Sequence, residues 1–268
     1  MKGWTLQLFL MELRKLITYR ADFWVNFFGQ TIFSLVIAYF LWKSIFAGSE
    51  QAVMNGYSMK GMIFYYLLIP LIFRIQQGAG IGFLSREIYD GSLSKYLLYP
   101  INIFKFKATT YLANSFFYYL QLILILFLYN IIFFDPAIYQ FSIFNFLLFT
   151  VVMCVSSVSF FYLYNIIEMQ AFWFDNIWSL GVILRFGTAF LGGALIPLKF
   201  FPQWSQDLLT FTPFPYLIDF PMKTLKGELM LNDFGTNLVI SIVWLLLFRI
   251  VAKFLWNKGK FAYSGVGI

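Results

Sequence analysis

Apolar residues fall in six long runs separated by short polar breaks: Phe23–Phe46, Gly61–Leu84, Thr109–Phe134, Phe141–Ile166, Phe172–Leu195 and Phe234–Leu255. A hydrocarbon core of about 30 Å needs roughly 20 apolar residues in helical form. Each run therefore predicts a transmembrane helix. Ahead of the first, Leu6, Phe9, Leu10, Leu13, Leu16 and Ile17 recur at helical spacing, while Gln7, Glu12, Arg14 and Lys15 point elsewhere. That pattern predicts an amphipathic helix over residues 1–21 lying in the membrane interface, a plain extension of the first span being the alternative. No repeat or low-complexity linker divides the chain. Residues 1–268 read as one transmembrane domain, an all-α membrane protein of six spans.

The break between the fifth and sixth runs is unusual. It contains Gly192-Gly193-Ala194-Leu195-Ile196-Pro197, then Phe200, Phe201, Pro202, Trp204, and Pro213-Phe214-Pro215-Tyr216, with Pro221 before Gly227. The segment 196–228 is too apolar for an open loop and too interrupted by proline for a full span. Irregular backbone at membrane depth is tolerated only where protein or a water-filled cavity covers it. Two short helices, Pro202–Phe211 and Pro215–Leu225, are expected to dip back into the outer leaflet, with proline in the first turn of each. A folded external loop with Trp204 and Tyr216 in the interfacial belt is the plainer reading.

The loop between the second and third runs, within residues 85–105, carries a second pattern, Glu87-Ile88-Tyr89-Asp90-Gly91-Ser92-Leu93-Ser94-Lys95-Tyr96-Leu97-Leu98-Tyr99-Pro100. Gly91 can end the preceding helix, and Ser92 can cap a new one. Leu93, Tyr96 and Leu97 then share a face until Pro100 stops the helix. A short amphipathic helix of this kind is an element that a partner protein could grip and move.

Composition and charge sharpen this picture. Hydrophobic residues make up 61% and charged residues 12% of the chain, against roughly 25% charged in soluble domains. Too little polar surface remains for a water-soluble protein of this size. The net charge of +7 comes from basic residues in short loops, a placement that suits membrane orientation and not nucleic acid. Lys2, Arg14, Lys15 and Arg20 precede the first span, Arg86, Lys95, Lys105 and Lys107 follow the second, and Lys253, Lys258 and Lys260 follow the sixth. These segments share a side in a six-span chain, so both termini are expected in the cytoplasm and the protein in the inner or plasma membrane. The fourth-to-fifth loop, with Glu168 alone, adds no basic residue to that side. The start lacks the form of a cleavable signal, being broken by Glu12, Arg14 and Lys15. Cys154 is the single cysteine and histidine is absent, so no intrachain disulfide is possible and no metal cluster or nucleophile–base pair is recognisable.

The Glu-x-x-x-Gly-Ser-Leu-x-x-x-Leu-Leu-x-Pro pattern from Glu87 to Pro100 resembles the coupling-helix region of permease subunits of ABC-2 type ATP-binding-cassette transporters. Tyr19-Arg20-Ala21-Asp22-Phe23 resembles the start of one branch of that family. Gly192 to Pro202 is similar to the family's external re-entrant segment. The resemblance covers nearly the whole chain, and its order and spacing are more specific than any one motif. It implies a type V exporter-like subunit that pairs with a second permease subunit, non-identical or identical. It also implies separate ATPase subunits beneath the pair and substrate movement outward or between leaflets. No Gly-x-x-x-x-Gly-Lys-Ser/Thr loop occurs, so ATP and Mg would be bound by a partner chain. Coupling to the ATPase would fall to Glu87, Gly91, Ser92, Leu93, Tyr96 and Leu97. An external gate would include Gly192, Gly193, Pro197, Phe201, Pro202, Trp204, Pro215 and Tyr216.

Arg74, Asp175 and Arg185 lie within apolar runs, where ionisable groups mark pairs or pathways. Arg74 and Arg185 could face a subunit interface and bind an anionic group such as a lipid phosphate. Alternatively, Arg74 could pair with Asp175 or Glu168 inside the subunit. Arg249 can snorkel to the interface. Gly78, Gly80 and Gly82 alternate and mark a bend or a close helix approach. Two other functions compete with the exporter. An ion-coupled carrier needs titratable groups or broken helices near the midplane. A lipid-modifying membrane enzyme needs a polar cluster that the chain does not display.

Overall fold

A computed structural model describes residues 3–18, 20–48, 53–77, 83–133, 135, 138–139 and 141–265. Helices form where the apolar runs predict them. α1 spans Trp4–Thr18, α2 Arg20–Ala47, α3 Met59–Gln77, α4 Phe83–Tyr89, α5 Leu93–Leu98, α6 Ile103–Ile132 and α7 Ile143–Glu168. α8 spans Trp178–Leu191, α9 Gln203–Leu209, α10 Phe214–Leu217, α11 Asp219–Lys226 and α12 Leu231–Ala262. The expected glycine bend at residues 78, 80 and 82 lies outside the described residues.

Among the described residues five helices are long and apolar enough to cross a membrane: α2 over Phe27–Ala47, α3, α6, α7 and α12. The expected fifth span differs from its prediction. It is a helix of 14 residues, α8, about 21 Å long at 1.5 Å per residue. The run counted as apolar begins at Phe172, but residues 169–172 form a 3-10 turn that continues α7, and the chain stays irregular up to Trp178. The second run also divides: α3 stops at Gln77, and Leu84 belongs to α4.

One small β-hairpin interrupts the helical fold. β1 (Val53–Met54) pairs antiparallel with β2 (Tyr57–Ser58) across Asn55 and Gly56. Both turn residues have positive φ, 48° and 80°, the conformation that an Asn-Gly pair adopts most readily.

The core lies where α3 passes between α2, α6 and α7. Phe64, Tyr65, Leu68, Leu71 and Ile72 of α3 are all almost fully buried, together with Phe149 and Phe160 of α7. By contrast the outer faces of α2, α6, α8 and α12 expose Phe, Leu and Ile along their length, as a lipid-facing surface does. α3 is thus the axis of the subunit. Two of its tyrosines fix the chain after α8: the Tyr65 hydroxyl donates to the Gly193 carbonyl and that of Tyr66 to Leu195, both at 2.6 Å.

The segment between α8 and α12 folds back into the helical body. Gln76, near the end of α3, donates from Nε2 to the Leu217 carbonyl of α10. The same amide lies 3.4 Å from Ser156 Oγ, close to the middle of α7. From there α11 runs along α7 until Gly227 meets Asn145, near the first turn of α7. The tip of this hairpin therefore stands roughly half-way along α7, about 20 Å from that helix's start. Gly192 makes the approach possible. A Cβ there would lie 2.9 Å from both the Phe214 carbonyl oxygen and Ile218 Cδ1.

Candidate functional site

The segment singled out for coupling is held at one end of the helical body by four separate contacts. α4 ends at Tyr89, and Gly91 turns the chain with φ 73°, a left-handed conformation that suits glycine. The capping expected from the Ser92 side chain does not occur. Ser92 has helical dihedrals and makes no side-chain cap bond. Asp90 fills the turn instead: its Oδ1 accepts from the Ser92 backbone N–H at 2.9 Å. Bonding to Ser92, through its hydroxyl and its N–H, holds the Asp90 carboxyl below the usual range. The carboxylate two residues upstream satisfies the N–H that a serine cap would have left for water.

α5 presents two different faces. Leu93 is fully buried against Leu84, Ile88, Met169 and Ala252 and fixes the helix to the body. Leu97, Leu98 and Tyr99 stay exposed, Leu98 by 85%. Tyr96 stands between, packed on Phe106 with Lys107 over its ring. Burial, with the adjoining Glu87 carboxylate, raises the Tyr96 phenol above its ordinary pKa. Glu87 points inward to Lys107, with Oε1 2.7 Å from Nζ and both side chains largely buried. Removing one partner of such a pair costs about 3–5 kcal/mol, because the other charge is left uncompensated. The pair lines a cavity of about 460 Å³ between α1, α6 and α7.

Two supports were not legible as site residues in the sequence. The Tyr263 hydroxyl, just past α12, donates to the Gly91 carbonyl at 2.6 Å and receives the Ser94 N–H at 3.2 Å. α12 has 32 residues and is about 48 Å long, so it outreaches a 30 Å hydrocarbon core and carries Tyr263 to the turn. The second support is Glu168. Its buried carboxylate accepts from the Leu84 N–H at 3.1 Å, closing the first turn of α4 against the end of α7. Its isolation in a loop signals a task, but the partner is 84 residues away.

The charges placed inside the membrane separate. Arg74 of α3 stacks over the Phe27 ring, 5.6 Å from its centre, and lies beside Tyr118 of α6. Asp175 is not in a helix at all. It is exposed in the irregular stretch before α8 and is not paired with Arg74 among the described ion pairs. Arg185 is exposed near the middle of α8, on the side of Tyr164. The two arginines thus have different neighbours.

The residues expected to form a gate spread from the end of α8 to α10, away from α5. Phe201 packs on Phe190 at 5.1 Å, Pro197 is buried beside Leu198, and the Tyr216 hydroxyl donates to the Thr210 carbonyl. Gly192 and Gly193 are buried under the hairpin, Pro202 immediately precedes α9, and Pro215 lies in α10. Trp204 is exposed by 71%. The predicted helix starting at Pro215 is two: α10 stops at Leu217, and α11 contains Pro221 in its first turn.

These features define a multi-pass helical membrane protein with one apolar helix tip exposed on a braced turn. Residues 32–267 match the pattern of the ABC-2 family transporter protein, and the chain belongs to that family. Members work in general with ABC ATPase subunits. No curated protein sequence matches the chain.

Proposed function

We propose that this chain is the permease half of an ATP-driven exporter. The exposed tip of α5, Leu97 and Leu98 with the Tyr99 that follows, carries this reading, because it is apolar and tied to α4, α6, α7 and α12. An ATPase that closes on ATP would push this tip. The turn would pass the push to α12 through Tyr263 and to α7 through Glu168. The ATPase and its Mg sit on separate chains in this reading, and hydrolysis belongs to them. Gly91 serves as the bend, Leu93 as the anchor and Leu97 as part of the contact.

A second permease subunit, identical or paralogous, would cover α8, whose Trp178, Ile183 and Phe186 are exposed around Arg185. The α9–α11 hairpin would sit in the outer leaflet as an exit gate, with α8 as a short sixth membrane element meeting it from the inner side. The α5 end and both termini would be cytoplasmic, in the inner or plasma membrane. Placing Asp175 in an exposed connection removes the acid that an ion-coupled carrier would most readily use.

Co-purification tests the proposal. A complex with an ABC ATPase should couple ATP hydrolysis to transport, and Leu98→Glu should lower coupled transport at least tenfold while the chain still inserts. Transport that proceeds without an ATPase and ignores ATP would sink it.

A further inference from the structure

A second feature adjoins α5. A groove of about 580 Å³ opens between α5, the first turns of α6 and the last third of α12. Its floor is aromatic and apolar: Ile103, Phe104, Tyr162 and Trp256, with Phe104 and Trp256 edge to face at 5.3 Å. Its lining includes three cations, Lys105, Arg249 and Lys253, and not one carboxylate. All three are exposed, and none belongs to an ion pair among the described residues.

Arg249 and Lys253 are four residues apart on one helix, where like charges repel. Lys105 stands in the first turn of α6, a 30-residue helix whose N-terminal dipole adds positive potential to the same groove. Asn102 caps only the Lys105 N–H, at 3.0 Å, while the N–H groups of Ile103 and Phe104 have no carbonyl within the helix to bond. The formal charges lining the groove are thus all positive.

Snorkelling to the interface would explain each cation singly. It does not explain why three converge over an aromatic floor on one concavity. We propose that this groove binds a phosphate-bearing anion, with its phosphate between Lys105, Arg249 and Lys253. An anionic phospholipid fits best, since the floor takes acyl chain and the rim takes the head group, as basic pockets between transmembrane helices do. The lipid would lie against Tyr96 and Leu97 of α5 and the Tyr99 that follows it. Binding concerns the permease alone, so its test stands apart from the ATPase reading.

The purified protein is placed in nanodiscs containing equal phosphatidylglycerol and phosphatidylcholine, and retained lipid is counted by native mass spectrometry. Phosphatidylglycerol should be retained in clear preference. The double variant R249Q/K253Q should reduce that preference about thirtyfold, from about 1 kcal/mol per basic side chain beside an anionic lipid. Lys105→Gln alone should reduce it severalfold, which keeps the test open if the double variant fails to fold. Lys258→Gln, on the same helix but outside the groove, should leave it unchanged. Displacement of the lipid by millimolar inorganic phosphate would support a soluble phosphate compound as the occupant. Equal retention of both lipids, or equal loss with Lys258→Gln, would overturn the proposal.

Discussion

Tyr263 joins two parts of the chain 172 residues apart through one hydroxyl. Hydrogen bonds of this kind contribute about 0.5–1.5 kcal/mol each. Tyr263→Phe keeps the ring against Phe172 but removes the hydroxyl that both the Gly91 carbonyl and the Ser94 N–H bond, leaving those two only their 3.3 Å bond to each other. Amide exchange at Ser94 should then quicken about fivefold to tenfold, with the rest of α12 unchanged. An unaltered exchange rate would show that the clamp holds nothing. Residues at this scale divide by the range of their partners. Gly91 was legible because its left-handed turn is local, and Leu93 because its spacing on α5 is local. Ser92 misled because the N–H groups it would cap are already taken: that of Ser94 by the Gly91 carbonyl and the Tyr263 hydroxyl, and that of Lys95 by the Ser92 carbonyl. Tyr263 and Glu168 were hidden because their partners are set by how α12 and α7 pack, which no window of sequence contains.

The elements show the same division. Long helices follow from hydropathy alone, but α8 does not, because a run of apolar residues fixes neither where a helix starts nor whether it spans. Its irregular approach, with Asp175 exposed, shortens it from the predicted 24 residues of Phe172–Leu195 to 14. The hairpin meets the end of this short helix: α8 ends at Leu191, and α10 begins against the Gly192 that follows. This contact gives an internal comparison. A side chain at Gly192 would collide with the Phe214 carbonyl and Ile218, whereas one at Gly187, in the same helix, meets nothing within 4 Å. Overpacking of a close contact costs about 1–3 kcal/mol. Gly192→Leu should therefore lower the thermal midpoint in detergent by several degrees, and Gly187→Leu should not. Equal shifts for both would mean that the hairpin does not pack on the end of α8.

At the scale of the whole molecule, charge is divided unevenly between the two ends. Lys60, Lys199, Lys223 and Lys226 at the hairpin end all pair with acids: Asp135, Glu228, Asp219 and again Glu228. Burial alone would raise the Glu228 pKa, but Lys226 and Lys199 outweigh it and hold the carboxyl below its usual range. Lys199, Lys223 and Lys226 all lie between the fifth and sixth runs, and the pairing explains why Asp219 and Glu228 accompany them. At the α5 end, Arg86, Lys95, Lys105, Arg249, Lys253, Lys258 and Lys260 belong to no ion pair among the described residues. Basic residues beside spans favour the cytoplasmic side. Lys15 and Lys107 do pair at this end, with Glu12 and Glu87, but its unpaired basic residues still outnumber those of the hairpin end, which points the same way as the total counts. In a Cys154→Ser background, Lys95→Cys should therefore react with a membrane-impermeant maleimide only after the cells are opened. Asp207→Cys, exposed in α9, should react in intact cells. The two sites lie at opposite ends of the helical body, so labelling of both from one side would overturn the orientation and, with it, the placement of α5 beside a cytoplasmic ATPase.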